Sequence, residues 1–406
     1  MYIQLIKKTQ SKSLKESKEF NKMTQLIQLL AKKNEGITLD SICKRLKIST
    51  PTGIKLVTEM QLKKLIEISG KKETENGRRP QLYILNKKSF YAVGIEILLK
   101  RISFTLLDIQ HNQLKAIHNK EFKLSNTPEC LNEVLNFIEE NITKSEIKNN
   151  TLIGIGISIT GSVHKKNGTT ISYFDFLQVP FTKYLSEKLN ISVFVDNDTH
   201  TIALAEKYLG KASKVENALV VNLSRGLGAS IILNNQIIYG GNGFAGEFGH
   251  MQFNNSEKMC ICGKRGCLGT FVSGYGLEEA FLEKISAGEK STLEQNLNSA
   301  QNIRYDNIIQ AALNGDSLSI QLIHELGYQL GKALGNLVNL LNPEKVILAG
   351  KFSILGNFLV SPVKMGLIAT SLPHLLQSCE IEVSQINENA GLIGAGLQVF
   401  KHNNLI

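Results

Sequence analysis

The chain has 406 residues, 42% of them apolar, and a net charge of +10. That is enough for two or three domains, each with a sizeable core. No apolar run approaches the roughly eighteen residues of a membrane span, and Lys7 and Lys8 come too early for a secretory h-region, which argues against both.

The charge is unevenly placed. Residues 1–88 hold 20 Lys and Arg against 8 Asp and Glu, whereas the rest holds 26 against 28. Such asymmetry points to a nucleic-acid-binding module joined to a domain of another kind. Residues 1–20, rich in Lys and Ser, read as a basic arm or frayed helix. A helix is expected over Lys22–Lys33, with Met23, Leu26, Ile27, Leu29 and Leu30 on its buried face. Thr38 can cap a second helix, Leu39–Leu46. Ser49 can cap a third, with Pro51 in the first turn, where a missing N–H costs least. Its outward residues would be Thr50, Thr52, Ile54 and Lys55. Leu65–Ile68 and Leu82–Leu85 read as strands around a basic loop that contains Gly77, Arg78, Arg79 and Pro80. Three helices followed by such a hairpin make a winged helix-turn-helix over residues 21–88. Thr50, Thr52 and Lys55 would enter the major groove, and Arg78 and Arg79 would reach phosphates or a narrow minor groove.

Beyond residue 88 strands and helices alternate in two blocks. Ala92–Ile97 and Ile102–Asp108 read as paired strands, and Pro128–Glu140 as a helix. Leu152–Ile159 reads as a buried strand by its apolar run. Val193–Val195 is a strand leading into Asp196-Asn197-Asp198, with Ile202–Leu209 helical behind it. Ala218–Leu223 and Ala229–Leu233 open a second set of strands. Helices dominate from Gly276 to Leu341, and Lys345–Gly350 and Ala390–Phe400 complete the chain as strand and helix. This is an α/β protein in two lobes.

The densest chemistry lies in Gly246–Gly269. Cys260, Cys262 and Cys267 sit within ten residues of one another, with His250 just upstream. Three thiolates and an imidazole suit a tetrahedral Zn²⁺ site closed on all sides. Gly263 and Gly266 permit the turn that brings Cys262 and Cys267 onto one ion. The other three cysteines, Cys43, Cys130 and Cys379, are far apart in sequence. The pattern fits a reduced, cytoplasmic protein that keeps thiolates for metal.

Glu247-x-x-His250 followed by Cys260-x-Cys262-Gly-x-x-Gly-Cys267 resembles the signature of the ROK family, which groups sugar-responsive repressors and sugar kinases. Gly154–Ile157, Asn197-Asp198, Pro343–Gly350 and Ala390–Ala395 extend the resemblance over roughly residues 90–400. The winged module with its Gly-Arg-Arg-Pro loop is similar to that of the family's repressor branch, whose members answer to N-acetylglucosamine, xylose or a transport protein. The resemblance implies an actin-like ATPase fold over 89–406. One lobe would take about 89–200 plus 388–406, the other 201–387, with sugar bound in the cleft between them. It also implies that Asn197, Asp198, Glu247 and His250 hold the sugar or sugar phosphate, and that His250 ligates zinc through its other nitrogen.

Two readings follow from the family. In a kinase Asp198 would be the general base. The Gly-Gly-Thr turn expected after the first strand is instead Ile97-Leu98-Leu99-Lys100. Only Gly226 and Gly228 remain in Ser224–Ala229 where a second glycine-rich phosphate loop belongs, and Gly350-Lys351 stands where a Gly-Gly pair is usual. Side chains at Leu98 and Leu99 occupy space that backbone amides need to approach a phosphate. The leading expectation is therefore a repressor without enzymatic activity. It would be a homodimer or homotetramer on operator DNA, because one helix-turn-helix reads only half a site. One departure bears on the sugar: the family usually has Glu two residues after the last cysteine, and here Gly269 stands there. That leaves open a third reading, a regulator that answers to a protein partner. The resemblance also implies a further sugar-side residue before the second-lobe strands, within Ser172–Asp175, with Asp175 as its candidate.

Overall fold

A computed structural model describes residues 14–31, 35–72, 79–147, 151–253, 257–293 and 303–406. The chain divides into two compact units, one of residues 1–197 with 392–406 and a second of 198–391.

The N-terminal module opens with helix α1, Leu14–Ala31, eight residues earlier than its apolar periodicity suggests. Residues 14–21 are mostly Lys, Glu and Ser, so helix propensity, with no apolar stripe, carries that first stretch. Met23, Leu26, Ile27 and Leu30 are buried. Strand β1 (Ile37–Thr38) leads into α2 (Leu39–Leu46), where the Thr38 hydroxyl accepts from the Ser41 N–H. Helix α3 (Thr50–Leu62) starts at Ser49, but the Ser49 side chain makes no bond to the helix backbone. Its hydroxyl pairs with that of Thr52 at 2.9 Å. The two helices sit close because Gly53 has no side chain: a Cβ there would lie 2.3 Å from Cys43 Sγ. Strands β2 (Ile66–Lys71) and β3 (Gln81–Leu85) pair antiparallel, and β1 adds to β3. The Lys72 N–H donates to Pro80 O at 2.9 Å, which carries the hairpin beyond its regular ladder.

The first α/β sheet has the order β10-β7-β4-β5-β6. It is built from β4 (Tyr91–Leu98), β5 (Arg101–Asp108), β6 (Gln113–Glu121), β7 (Leu152–Ile159) and β10 (Val193–Asn197). Helix α4 (Pro128–Thr143) and helix α5 (Phe181–Leu189) connect them, with the short ribbon β8 (Val163–His164) and β9 (Thr169–Thr170) after β7. Strands β4, β5 and β6 run antiparallel, while β4, β7 and β10 run parallel. Strand β6 carries no apolar run; it is an exposed, Lys-bearing edge held by its ladder to β5. The last helix, α12 (Ala390–His402), lies against this sheet. A Cβ at Gly156 would be 1.7 Å from Ala395 O, and one at Gly94 would be 2.6 Å from Leu392 O.

The second unit begins with helix α6 (Asp198–Leu209). Its sheet, ordered β13-β12-β11-β14-β15, repeats the topology of the first: three antiparallel strands, then two added in parallel. The strands are β11 (Ala218–Leu223), β12 (Leu227–Leu233), β13 (Gln236–Ile238), β14 (Lys345–Ala349) and β15 (Glu380–Val383). Helices α7 (Gly274–Ser286), α8 (Tyr305–Leu313), α9 (Ser317–Leu341), α10 (Asn357–Ile368) and the short α11 (Pro373–Leu376) fill the rest. Their apolar faces join Leu219, Val221, Leu223, Val346 and Leu348 in one core. Two sheets of the same order, each completed by helices, form the actin-like α/β arrangement. Among the described residues no helix is long and apolar enough to cross a membrane.

Candidate metal centre and ligand wall

The Gly246–Gly269 loop is fastened to β12 at its start. The Ala229 N–H donates to Gly246 O at 3.0 Å. Gly246 has φ +96, and a Cβ there would sit 1.7 Å from Ala229 O, so no other residue fits. Phe248 is buried in the core of the second unit, and a Cβ on Gly249 would lie 2.4 Å from Leu227 O. The rest of the loop is cross-tied by Cys260 N–H to Lys264 O at 2.8 Å, Gly263 N–H to Cys260 O at 2.9 Å and Leu268 N–H to Met251 O at 2.8 Å. Gly263 and Gly266 take φ +82 and +73, the left-handed turns that fold the cysteine segment back on itself.

The result brings His250, Cys260, Cys262 and Cys267 together, their ligand atoms all within 4.8 Å of one another. Cys260 Sγ lies 3.5 Å from His250 Nδ1, and Cys262 Sγ lies 3.7 Å from Cys267 Sγ. A tetrahedral ion with Zn–S of about 2.3 Å and Zn–N of about 2.0 Å sets these separations near 3.5 and 3.8 Å. All six cysteines are free. The donor set and its spacing therefore fit Zn²⁺. The thiols are poised unequally: the Lys264 amide lowers Cys262 to about 7, whereas burial raises Cys267 to about 12. A dication shared by all four would resolve that crowding, since thiolates are its proper ligands.

With Nδ1 turned to the thiol, His250 presents Nε2 to Glu247 Oε2 at 3.9 Å. Both side chains are about half exposed. Asp198 starts α6, its carboxylate accepting from the Thr199 N–H at 2.7 Å. Thr199 packs on Gly228, and the neighbouring Ala229 holds Gly246. Two successive residues of β12 thus carry the helix start with Asp198 and the loop with Glu247. His200, which sequence reasoning passed over, is buried and joins the same two pieces: its Nε2 meets Ala245 O at 3.1 Å. An imidazole two residues after the acid was the signal available. Asn197 ends β10 in the first unit, and its side-chain amide donates to Gly161 O at 2.9 Å. Asp175 is exposed and bonded to Asn126. Gly269 is tightly placed, with a Cβ there 3.1 Å from Gly249 O.

The turn between β11 and β12 is closed by its own bonds. The Ser224 hydroxyl donates to Asn222 Oδ1 at 3.0 Å and accepts from the Lys351 N–H at 3.1 Å. Ser224 O and Arg225 O take the Gly274 and Tyr275 N–H groups at the start of α7. Arg225 pairs with Glu278 at 3.6 Å. At the equivalent place in the first sheet, Leu99 and Lys100 form the hairpin turn from β4 to β5. Of the residues expected to meet DNA, Thr50, Lys55 and Arg79 are exposed and Thr52 is half-buried, while Arg78 lies outside the described residues.

The chain is 29% identical over 389 residues to the xylose repressor of Caldicellulosiruptor bescii, covering 93% of this chain and 94% of that one. An alignment of that length runs through the N-terminal module. The glucokinase of Halalkalibacterium halodurans is 32% identical over 259 residues, 62% of this chain and 78% of the kinase. Among solved structures, a ROK family transcriptional regulator described as a homolog of the E. coli MLC protein superposes with a TM-score of 0.78 at 25% identity. It covers 96% of this chain and 98% of its own. The ROK family profile matches residues 92–401, from the second residue of β4 to the last turn of α12, and the chain belongs to the ROK family.

Proposed function

We propose that the chain is a sugar-responsive transcriptional repressor that binds operator DNA through residues 21–88. A sugar or sugar phosphate held by Asn197, Asp198, Glu247 and His250 sets its operator affinity. The observation that carries this reading is that a basic winged helix-turn-helix precedes the ROK region and that similarity to a xylose repressor runs through both. In this reading Thr50, Thr52 and Lys55 on α3 meet base edges and phosphates, and Arg78 and Arg79 on the wing meet the backbone or minor groove.

Zinc on His250, Cys260, Cys262 and Cys267 supplies structure, not reactivity, because four protein ligands leave no open position. It fixes the His250 ring so that Nε2 stays beside Glu247. A carboxylate next to an imidazole nitrogen can accept from one sugar hydroxyl and donate to its neighbour. Phosphoryl transfer is not part of this reading: the Ser224–Gly226 turn is tied to Asn222, Lys351 and α7 and has no glycine-rich cradle for phosphates. The glucokinase similarity and Asp198 at a helix start favour kinase activity as the second reading.

Fluorescence anisotropy with the chain's own promoter, titrated with salt and with a panel of pentoses, hexoses, amino sugars and their phosphates, tests the proposal. Sequence-selective, salt-dependent binding that one sugar weakens is expected. ADP release that disappears in Asp198→Asn would overturn it in favour of the kinase.

A further inference from the structure

Helix α3 carries on its outer face one side chain that neither packing nor charge accounts for. Gly53 faces α2, since a Cβ there would lie 2.3 Å from Cys43 Sγ, and Leu56, Val57 and Met60 are buried. The opposite face holds Thr50, Pro51, Lys55 and Thr58, all exposed, and among them Ile54 at 52% exposure. Thr50 and Thr58 lie four residues to either side of Ile54 and Pro51 lies three before it, so Ile54 stands at the middle of that face. Helix propensity gives no reason for it: at an exposed position Ala, Lys or Glu serves a helix better than a β-branched residue. A single exposed isoleucine is ordinary on most surfaces. This one, however, lies in the first two turns of the helix that a winged helix-turn-helix lays in the major groove, where base edges are met.

The polar inventory of those two turns is short. Over Thr50–Val57 the only charged or amide side chain is Lys55, and no Arg, Asn or Gln is present to take a guanine or adenine edge in the usual two-bond manner. The Ser49 and Thr52 hydroxyls meet each other at 2.9 Å, which uses part of the remaining hydrogen-bonding capacity. What is left is largely apolar: the Ile54 side chain, the Pro51 ring and threonine methyls. Among the four bases only thymine offers an apolar group in the major groove, its C5-methyl. The surrounding module supplies the charge that holds a duplex, since Lys44, Arg45 and Lys47 at the end of α2 are exposed as well.

We propose that Ile54 determines operator specificity by reading the C5-methyl of a thymine in each half-site. The inference rests on the repressor reading and deepens it, because it assigns base discrimination to an apolar contact and leaves Lys55 to the phosphates. Removing one methyl from water against an isoleucine is worth about four-fold in affinity. Ile54 neutralises no phosphate, so it takes no part in the salt dependence of binding.

Fluorescence anisotropy with the full zinc-loaded chain and duplexes of its own promoter, each with one thymine replaced by uracil, tests the proposal. Uracil pairs as thymine does and lacks only the methyl. The wild type is expected to lose about four-fold at one position in each half-site. Ile54→Ala should bind the thymine duplex more weakly and no longer distinguish it from the uracil duplex at that position. Ile54→Val, which keeps a branched apolar side chain, should retain the distinction. Both variants should melt as the wild type does, because the side chain lies outside the core. Their slope of log affinity against log salt should be unchanged, whereas Lys55→Ala should reduce it by about one. Selective binding in which no uracil penalty depends on Ile54, or a salt slope reduced by Ile54→Ala, overturns this proposal and leaves the repressor reading standing. Absence of selective binding by the wild type overturns the repressor reading and the role of Ile54 with it.

Discussion

Strand β12 is entered through the Ser224–Gly226 turn and carries the Gly246–Gly269 loop on its flank. The turn spends its polar groups on its own neighbours: Asn222, Lys351, Glu278 and the first amides of α7. The loop does the opposite. It gathers three thiols and an imidazole whose ligand atoms lie within 4.8 Å of one another, a donor set that fits a cation, and leaves Glu247 and one edge of His250 toward solvent. In a family that holds both kinases and repressors, the proposed reading rests on this contrast: ligand recognition belongs to the loop, and phosphate handling is not assigned to the turn.

The largest way to break this contrast is to remove the metal. Cys267→Ser is expected to take bound zinc from one ion per chain to none by elemental analysis. It should lower Tm by about 10 °C or more, because binding energy of a closed zinc site is folding energy. Unchanged melting would mean that the loop's backbone ties suffice. Glu247→Gln should be milder. Zinc and Tm stay as they are, while calorimetry shows sugar affinity down by about 10–100-fold through loss of a charge-assisted bond. If zinc is lost as well, the wall and the brace are one element. Ser224→Ala should be smallest, about 1 kcal/mol from the unpaired Lys351 N–H, with zinc and sugar binding intact. A change in sugar affinity there would show that the turn still serves a ligand.

Much of this was legible in the sequence. Leu152–Ile159 and Ala218–Leu223 stand at their expected bounds because continuous apolar runs mark buried strands, and Leu39–Leu46 does because Thr38 caps it. The cluster of His250 with the three cysteines was legible because ligand type, spacing and turn glycines agree. Strand β6 was hidden, since its residues are mostly exposed and only its partner defines it. The start of α6 at Asp198 was hidden because the polar residues that follow, Thr199, His200 and Thr201, are buried against their own unit and show no apolar stripe. His200 escaped for the same reason: its role comes from Ala245, distant in sequence.

The close fit of Gly94 and Gly156 to α12 has a consequence for synthesis. The first sheet is complete once β10 has left the ribosome, yet the helix that covers Gly94 and Gly156 is encoded after all of Asp198–Gly391. At about 5–20 residues per second, that face waits roughly 10–40 s for its cover. The nascent chain must therefore carry an uncapped apolar sheet while the entire second unit is made. A chain cut before Leu392 would leave Gly94 and Gly156 uncovered, although every strand of that sheet had been translated.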